Sequence, residues 1–354
     1  MDITIKKAER LKDKPDENSL GFGTNFTDYM FIMDYEEGKG WFDPRIIPYG
    51  PLEIPPSMST FHYGQAVFEG LKAYKGPEDE ILLFRPEENL KRLNMSNDRM
   101  CIPQIDESFC LTAIKELVKL EREWVPGAEG TSLYIRPFII ATDSTLKLKP
   151  STGYKFIVIL SPVGAYYPQG INPVDIYVET EYVRAAPGGT GFAKTSGNYA
   201  ASMKAQANAA EKGFVQVLWL DGYERKYVQE VGSMNVFFKI DGEVVTPELD
   251  GSILPGITRN SVIELIRSWG MPIKQRNITI DEVYQAHADG KLEEAFGTGT
   301  AAVISPVGGL CWDGKGIQIN NGEIGELSAR IYDEITGIQT GKKRDPFHWI
   351  TVIE

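Results

Sequence analysis

Apolar positions along the chain change period several times. DYMFIMDY (28–35) and ILLFRP (81–86) are compact apolar runs broken off by Gly and Pro, and both read as strands. Leu90, Leu93 and Asn97 then recur at helical spacing, a second helix is predicted over about 107–124, and SLYIRPFIIAT (132–142) reads as a buried strand. The next stretch, DSTLKLKPSTG (143–153), is polar, short of large apolar residues and interrupted by Pro150. It predicts a linker between a first domain, 1–142, and a second, 154–354. Beside a cleft such a linker would serve as a lid.

From Tyr154 the pattern restarts. Strands are predicted at KFIVILSPVG, VDIYVET, VQVLWLD and MNVFFKI, an Ala-rich helix over Tyr199 to Lys212, and helices at TRNSVIELIRSWG and GELSARIYDEITG. Strands and helices alternate irregularly, so the pattern favours an α+β fold over a regular βαβ array.

A length of 354 residues suits two domains, and 42% hydrophobic with 24% charged residues is the balance of a chain that buries a core. With 37 basic against 49 acidic residues the net charge is −12, which gives no electrostatic pull toward nucleic acid or an anionic membrane. The expected partner is a small molecule. No apolar run reaches the roughly 18 residues that cross a bilayer. The N-terminal MDITIKKAERLKDKPDEN mixes acids and bases as neither a signal peptide nor a transit peptide does. Three cysteines, Cys101, Cys110 and Cys311, without CxxC spacing, suit reduced thiols, the cytoplasm and no metal site.

Four segments carry candidate chemistry. In FAKTSGNYAASMKAQANAA, Lys194 stands just ahead of a helix start of small polar residues. Lysine is the side chain that forms a Schiff base with an aldehyde cofactor, although a solvated surface lysine has the same local pattern. In YVQEVGSMNVFF, Glu230 lies between a turn-prone stretch and an apolar strand. There a carboxylate is either an exposed strand end or the partner of a protonated pyridine nitrogen. LPGITRN (254–260) and FGTGTAAVISP (296–306) are rich in Gly and Thr. The N–H groups of Ile257 and Thr258 at a helix start, with the Thr300 hydroxyl, are suited to a phosphate, and ordinary turns and caps are the alternative. Neither segment is a Walker loop, and no GxGxxG occurs. In HYGQAVFEGLKAY, the aromatics His62, Tyr63, Phe68 and Tyr74 surround glycines, and Arg92 on the following helix has the fork geometry to clamp a phosphate.

Together the strings FHYGQAVFEGLKAY, LFRPEENLKRL, LYIRPFI, LSPVGAYYPQG, KTSGNYAAS, QVLWLDG, EVGSMNVFF, DGSILPGITR and GTGTAAVISPV resemble the branched-chain amino acid aminotransferases, fold-type IV pyridoxal-phosphate enzymes, from about Phe22 to Ile335. The likeness is to the larger branch of that family. It implies a smaller N-terminal α/β domain and a larger C-terminal domain with a mixed, barrel-like sheet. It implies pyridoxal 5′-phosphate as cofactor and reversible transamination of L-leucine, L-isoleucine and L-valine with 2-oxoglutarate. Lys194 would carry the cofactor as a Schiff base and shuttle the proton. Glu230 would hold the pyridine nitrogen, Tyr199 the phenolic oxygen, and Arg92, Ile257, Thr258 and Thr300 the phosphate, with Arg184 and Ser233 near the ring.

For substrate the resemblance implies an apolar pocket of Phe68, Tyr134 and Tyr166. The N–H groups of Thr300 and Ala301 would lie near the α-carboxylate, and Arg136 at the distal carboxylate of glutamate. Tyr63 would reach in from the partner subunit of a homodimer. Ala302 and Ser305 stand where the animal enzymes carry a redox CxxC, so no thiol switch is expected there. Ser233 replaces a Thr found in part of the family and keeps the hydroxyl. Sister fold-type IV activities share the lysine and the glutamate; YGQAVFEG and LYIRP favour the branched-chain reading over them. A non-catalytic protein on the same fold is the other alternative, and the intact Lys194, Glu230, Tyr199 and Arg92 oppose it. A nucleotide-binding dehydrogenase is opposed by the missing glycine fingerprint.

Overall fold

The computed structural model describes residues 1–164 and 171–353. The chain forms two compact units. The first comprises residues 1–168, 193–196 and 337–354, and the second 169–192 and 197–336.

The first unit is built on a nine-stranded sheet. Its strands are β1 (Thr4–Ile5), β2 (Tyr29–Glu36), β3 (Gly40–Pro48), β4 (Ala66–Phe68), β5 (Leu71–Lys75), β6 (Ile81–Phe84), β7 (Ser132–Ala141), β8 (Gly153–Val163) and the C-terminal strand Ile350–Ile353. Helices α1 (Ser59–Tyr63), α2 (Pro86–Arg99) and α3 (Glu107–Leu120) belong to the same unit. Strand alternation sorts the side chains. Phe31 and Met33 of β2 join the main core with Leu133, Ile135 and Ile139 of β7 and Phe156, Val158 and Leu160 of β8, whereas Met30 and Ile32 join Ile157 in a second cluster. The main core is closed by Leu90 and Leu93 of α2 and by Cys110, Ala113, Ile114, Leu117 and Val118 of α3, a stripe at helical spacing. The side chain of Asp106 caps α3 by accepting from the Phe109 N–H at 3.0 Å.

The predicted boundary at 143–153 is corrected here. That segment joins β7 to β8, which pair antiparallel over their whole length, from Ser132 opposite Val163 to Ala141 opposite Tyr154. It is therefore a connection inside one sheet, and KFIVILSPVG completes the first unit. The C-terminal strand also returns to this sheet, antiparallel to β6. With these additions the first unit is the larger of the two. A local polar stretch signals a break in structure, but it does not say whether the next strand pairs with the last.

The second unit holds α4 (Ser196–Glu211), β9 (Val174–Val178), β10 (Gln216–Leu220), β11 (Val228–Val231), β12 (Met234–Ile240), β13 (Glu243–Thr246), α5 (Ile257–Ser268), β14 (Ile273–Gln275), α6 (Ile280–Ala288), β15 (Leu292–Gly299), β16 (Val303–Trp312), β17 (Lys315–Gln318) and most of α7 (Glu326–Gln339). Six strands close on themselves in the order β11, β10, β9, β16, β15, β12 and back to β11. Pairing is parallel on both sides of β9 and antiparallel elsewhere in the ring, the mixed, barrel-like sheet expected of the C-terminal domain. Closure leaves the ring without edges, and the fully buried Phe237 and Phe296 stack across β12 and β15 with centroids 5.2 Å apart.

Candidate active site

In the first unit the strap that carries Lys194 is tied to β4 as a short extra strand. The Phe68 N–H donates to the Lys194 carbonyl at 3.0 Å, Val67 bridges antiparallel to Thr195, and the Thr195 hydroxyl donates to the Ala66 carbonyl at 2.7 Å. The Lys194 N–H donates to the Ser96 hydroxyl at 2.9 Å. Its ammonium stands 4.7 Å from the centre of the Phe68 ring. Backbone on one side and α2 on the other hold this lysine, and it is half-buried.

Helix α2 presents a buried polar face. Asn89, Arg92 and Ser96 recur at intervals of three and four residues, the spacing that aligns side chains on one side of a helix. Two of them, Asn89 and Arg92, converge on Glu69, whose side chain has 0% exposure. Arg92 grips Glu69 with both prongs, Nε to Oε1 at 2.7 Å and Nη2 to Oε2 at 2.8 Å, and Asn89 donates to Oε2 at 2.7 Å. Burial alone would raise the Glu69 carboxyl. The Arg92 charge and hydrogen bond, together with Lys194 and Asn89, hold it below the usual carboxylate range. Glu69 was missed in the sequence. Its signal was weak: an acid between Phe68 and Gly70, in a run that reads as apolar filling.

Tyr134 and Arg136 alternate along β7 and so share a face. Arg136 donates to the Tyr134 hydroxyl at 3.1 Å and lies over two rings, 4.7 Å from the centre of Phe68 and 5.2 Å from that of Tyr134. Phe22 meets Tyr134 edge-on at 5.1 Å. Gly70 admits the Tyr134 hydroxyl; a Cβ there would stand 2.0 Å from it. The Arg136 Nε is buried and has no hydrogen-bond partner, so this aromatic wall contains one unmet donor. Tyr63 ends α1, is 39% exposed, and its hydroxyl donates to the Leu146 carbonyl in the 143–153 segment. Tyr166 lies outside the described residues.

The second unit carries the other expected residues. Glu230, 3% exposed, pairs with Arg184 through Oε2 and Nε at 2.5 Å and accepts at Oε1 from the Asn235 amide at 3.1 Å. Arg184 also donates to the carbonyls of Gly191, at 3.1 Å, and Ser252. Arg184 thus acts on Glu230. Ser233 is exposed in the two-residue turn between β11 and β12, which Gly232 opens at φ 57°. Ile257 and Thr258 form the first turn of α5, whose N-cap is Gly256 and which no side chain caps. Tyr199 is half-buried in the first turn of α4.

Thr300 and Ala301 occupy the turn between β15 and β16. That turn ends at Val303, held at φ 62° while the Ile304 N–H donates to the Ala302 carbonyl at 2.8 Å. Positive φ at a β-branched residue is strained, so the surrounding ring of strands is what holds this turn in shape.

A family model for class IV amino-transferases matches residues 66–310, a span that contains Arg92 and Lys194 of the first unit and Glu230 and the α5 start of the second. The chain belongs to the class IV aminotransferases. Branched-chain-amino-acid aminotransferase 2 of Bacillus subtilis (strain 168) is 62% identical over 351 residues, covering 99% of this chain and 97% of its own. Branched-chain-amino-acid transaminase 1 of the same organism is 60% identical over 98% of both chains. Among solved structures, the branched-chain amino acid aminotransferase of Escherichia coli is 27% identical with a TM-score of 0.75, over 92% of this chain and 99% of its own. A branched-chain amino acid aminotransferase of T.th., solved with pyridoxamine 5′-phosphate, is 27% identical with a TM-score of 0.75, over 91% of this chain and 98% of its own.

Aminotransferases of this class depend on pyridoxal phosphate, and the residues present fit that group. There is a primary amine at Lys194 and a carboxylate at Glu230 buried between two donors. The α5 start leaves its first N–H groups without a capping side chain, the usual setting for an anion. The Thr298 hydroxyl, opposite Asn235 on β15, is buried without a hydrogen-bond partner. Among the described residues no cluster of His, Cys, Asp and Glu is arranged to hold a metal.

Proposed function

We propose that this aminotransferase moves the amino group reversibly between L-leucine, L-isoleucine or L-valine and 2-oxoglutarate, with pyridoxal 5′-phosphate carried on Lys194. The observation that supports it most is the wall of Phe68, Tyr134 and Phe22 around Arg136. It is apolar enough for a branched side chain and contains one buried, unmet N–H suited to the distal carboxylate of glutamate. The near full-length identity to Bacillus subtilis proteins named for branched-chain substrates points the same way.

When bound, the cofactor supplies an aldehyde for the amine and a ring that accepts the electron pair left when the Cα–H bond breaks. The chain supplies the rest. Once displaced by the incoming amino acid, Lys194 Nζ would take the proton from the substrate α carbon and give it to the carbon that had been the cofactor's aldehyde carbon. Glu230, aligned by Arg184 and Asn235, would keep a proton on the ring nitrogen, and Tyr199 would donate to the ring oxygen. Arg92 and Thr300, with the N–H groups of Ile257 and Thr258, would hold the phosphate. The N–H groups of Thr300 and Ala301 orient the α-carboxylate. Ser233 would contribute its hydroxyl from the β11–β12 turn. Methyl groups that separate the three branched substrates are each worth only about 1–3 kcal/mol in such a pocket, so all three are accepted.

The working assembly on this reading is a homodimer in the cytoplasm, Tyr63 serving the partner's pocket. Phe61 and Tyr63 of α1 stand exposed, as do Leu146 and Leu148, the last at 82%, and the Tyr63 hydroxyl bonds to the Leu146 carbonyl; a second copy would cover these apolar side chains. All three cysteines are free, and no helix among the described residues is long and apolar enough to cross a membrane.

The test is the visible absorbance of the purified protein before and after L-leucine, beside Lys194→Ala. A cofactor band that L-leucine converts and that the variant lacks is the expected result. Conversion by D-alanine but not by L-leucine would move the activity to a sister enzyme.

A further inference from the structure

Glu230 and the segment that leads into α5 are far apart in the chain, yet one side chain is hydrogen-bonded to both. Asn235, 5% exposed, sits directly across the β11–β12 hairpin from Glu230. Its amide nitrogen donates one hydrogen to Glu230 Oε1 at 3.1 Å and the other to the Leu254 carbonyl at 2.9 Å. Two residues after Leu254 comes Gly256, the N-cap of α5.

The amide has a single workable orientation. Turned over, it would set its oxygen against two acceptors, a carboxylate and a carbonyl. In the observed orientation the oxygen is wedged against Gly256: a Cβ built there would lie 2.0 Å from Asn235 Oδ1. Gly256 has φ −68° and ψ 134°, which any residue adopts, so backbone freedom does not require a glycine at this position. The close approach of the Asn235 amide does.

We propose that Asn235 is a positioning residue that locks the Glu230 carboxylate to the first turn of α5, so that one amide sets both the ring-nitrogen partner and the anion site of the cofactor. This rests on the proposed roles of Glu230, Ile257 and Thr258. The spacing between a carboxylate and a phosphate site must match a rigid cofactor, and a hydrogen-bonded tie between the two keeps that spacing without relying on the cofactor to impose it.

The experiment is a double-mutant cycle on the holoenzyme. It reads the pyridoxal phosphate dissociation constant by equilibrium dialysis, kcat with L-leucine, and the thermal midpoint of the cofactor-free protein. Gly256→Ala should weaken cofactor binding about tenfold or more, since the new methyl and the amide oxygen cannot share the space. Asn235→Ala should weaken it by a similar factor and lower kcat more than it raises KM. In the double variant the methyl meets no amide, so it should bind no more weakly than Asn235→Ala alone. Costs that simply multiply, or an Asn235→Ala protein with unchanged cofactor affinity and kcat, would overturn the proposal. Asn235→Asp keeps the shape but sets an acceptor against the Glu230 carboxylate and the Leu254 carbonyl, so it should lose cofactor affinity and lower the thermal midpoint together. Wild-type affinity in it would also refute the tie. If wild type takes up no pyridoxal phosphate, the proposed function itself fails. If wild type binds and the cycle is additive, only the tie fails.

Discussion

Glu69 is the residue on which the first unit's polar site depends. It has no exposed surface, and its two oxygens are shared among Arg92, Asn89 and the Gly70 N–H. Removing one partner of a buried pair leaves the other as an uncompensated charge, which costs on the order of 3–5 kcal/mol. Glu69→Gln should therefore lower unfolding free energy by that order in urea titration and weaken cofactor retention through a misaimed Arg92. Wild-type stability and retention would show that Arg92 needs no anchor. Arg92→Lys is not conservative here, because a lysine has no second prong. The folded Glu69 carboxyl lies below its ordinary value of 4.5. Its contribution is complete above that value and drains away as pH falls through the folded pKa. Lys194, Glu230 and Arg92 stand out as candidates on their strings, each beside an ordinary alternative. Glu69 and Asn235 do not, because a buried carboxylate or amide is identified by what it faces, and their partners lie on other elements.

The 143–153 segment shows how an element gains order without regular structure. Asp143 accepts from the N–H groups of Thr152, at 3.1 Å, and Gly153, at 2.9 Å, and from the Lys149 ammonium at 3.0 Å. Burial pushes its carboxyl up. The Lys149 interaction and the hydrogen bonds from Thr152 and Ser151 outweigh that and hold it down at about 2. Because the folded value is depressed, the stabilisation is present above the ordinary carboxylate value of 3.8 and is lost as pH falls from there toward 2. Asp143→Asn should loosen the segment, seen as faster limited proteolysis between 144 and 150 at pH 7. It should also lower unfolding free energy by roughly 1–3 kcal/mol. Cleavage no faster than wild type would mean that the Met58–Ser144 bridge and the Tyr63 bond to Leu146 hold the loop without Asp143. At this scale strand and helix periods were readable, since they are local. That β7 and β8 are neighbours was not, since a polar connector looks the same inside a sheet as between domains.

For the molecule as a whole, the exposure of Phe61, Tyr63, Leu146 and Leu148 on α1 and the 143–153 segment calls for a covering partner. Leu148→Asp with Phe61→Asp should convert the proposed homodimer to monomers in sedimentation at micromolar concentration and lower activity at least tenfold. A double variant that stays dimeric would place the interface elsewhere. Local order in the chain was enough to read the α+β alternation, and the resemblance of its strings to a known family was enough to read the class of fold and the cofactor. Each of these depends on residues near one another in sequence. Four features needed the folded chain: closure of six strands into a ring, return of the C-terminal strand to the first sheet, the grip of Arg92 on Glu69, and the tie from Asn235 to both Glu230 and α5. Each is a meeting of segments separated in sequence. Such meetings are selected by burial and by the requirement that every enclosed polar group find a partner, and no local pattern records which partner it will be.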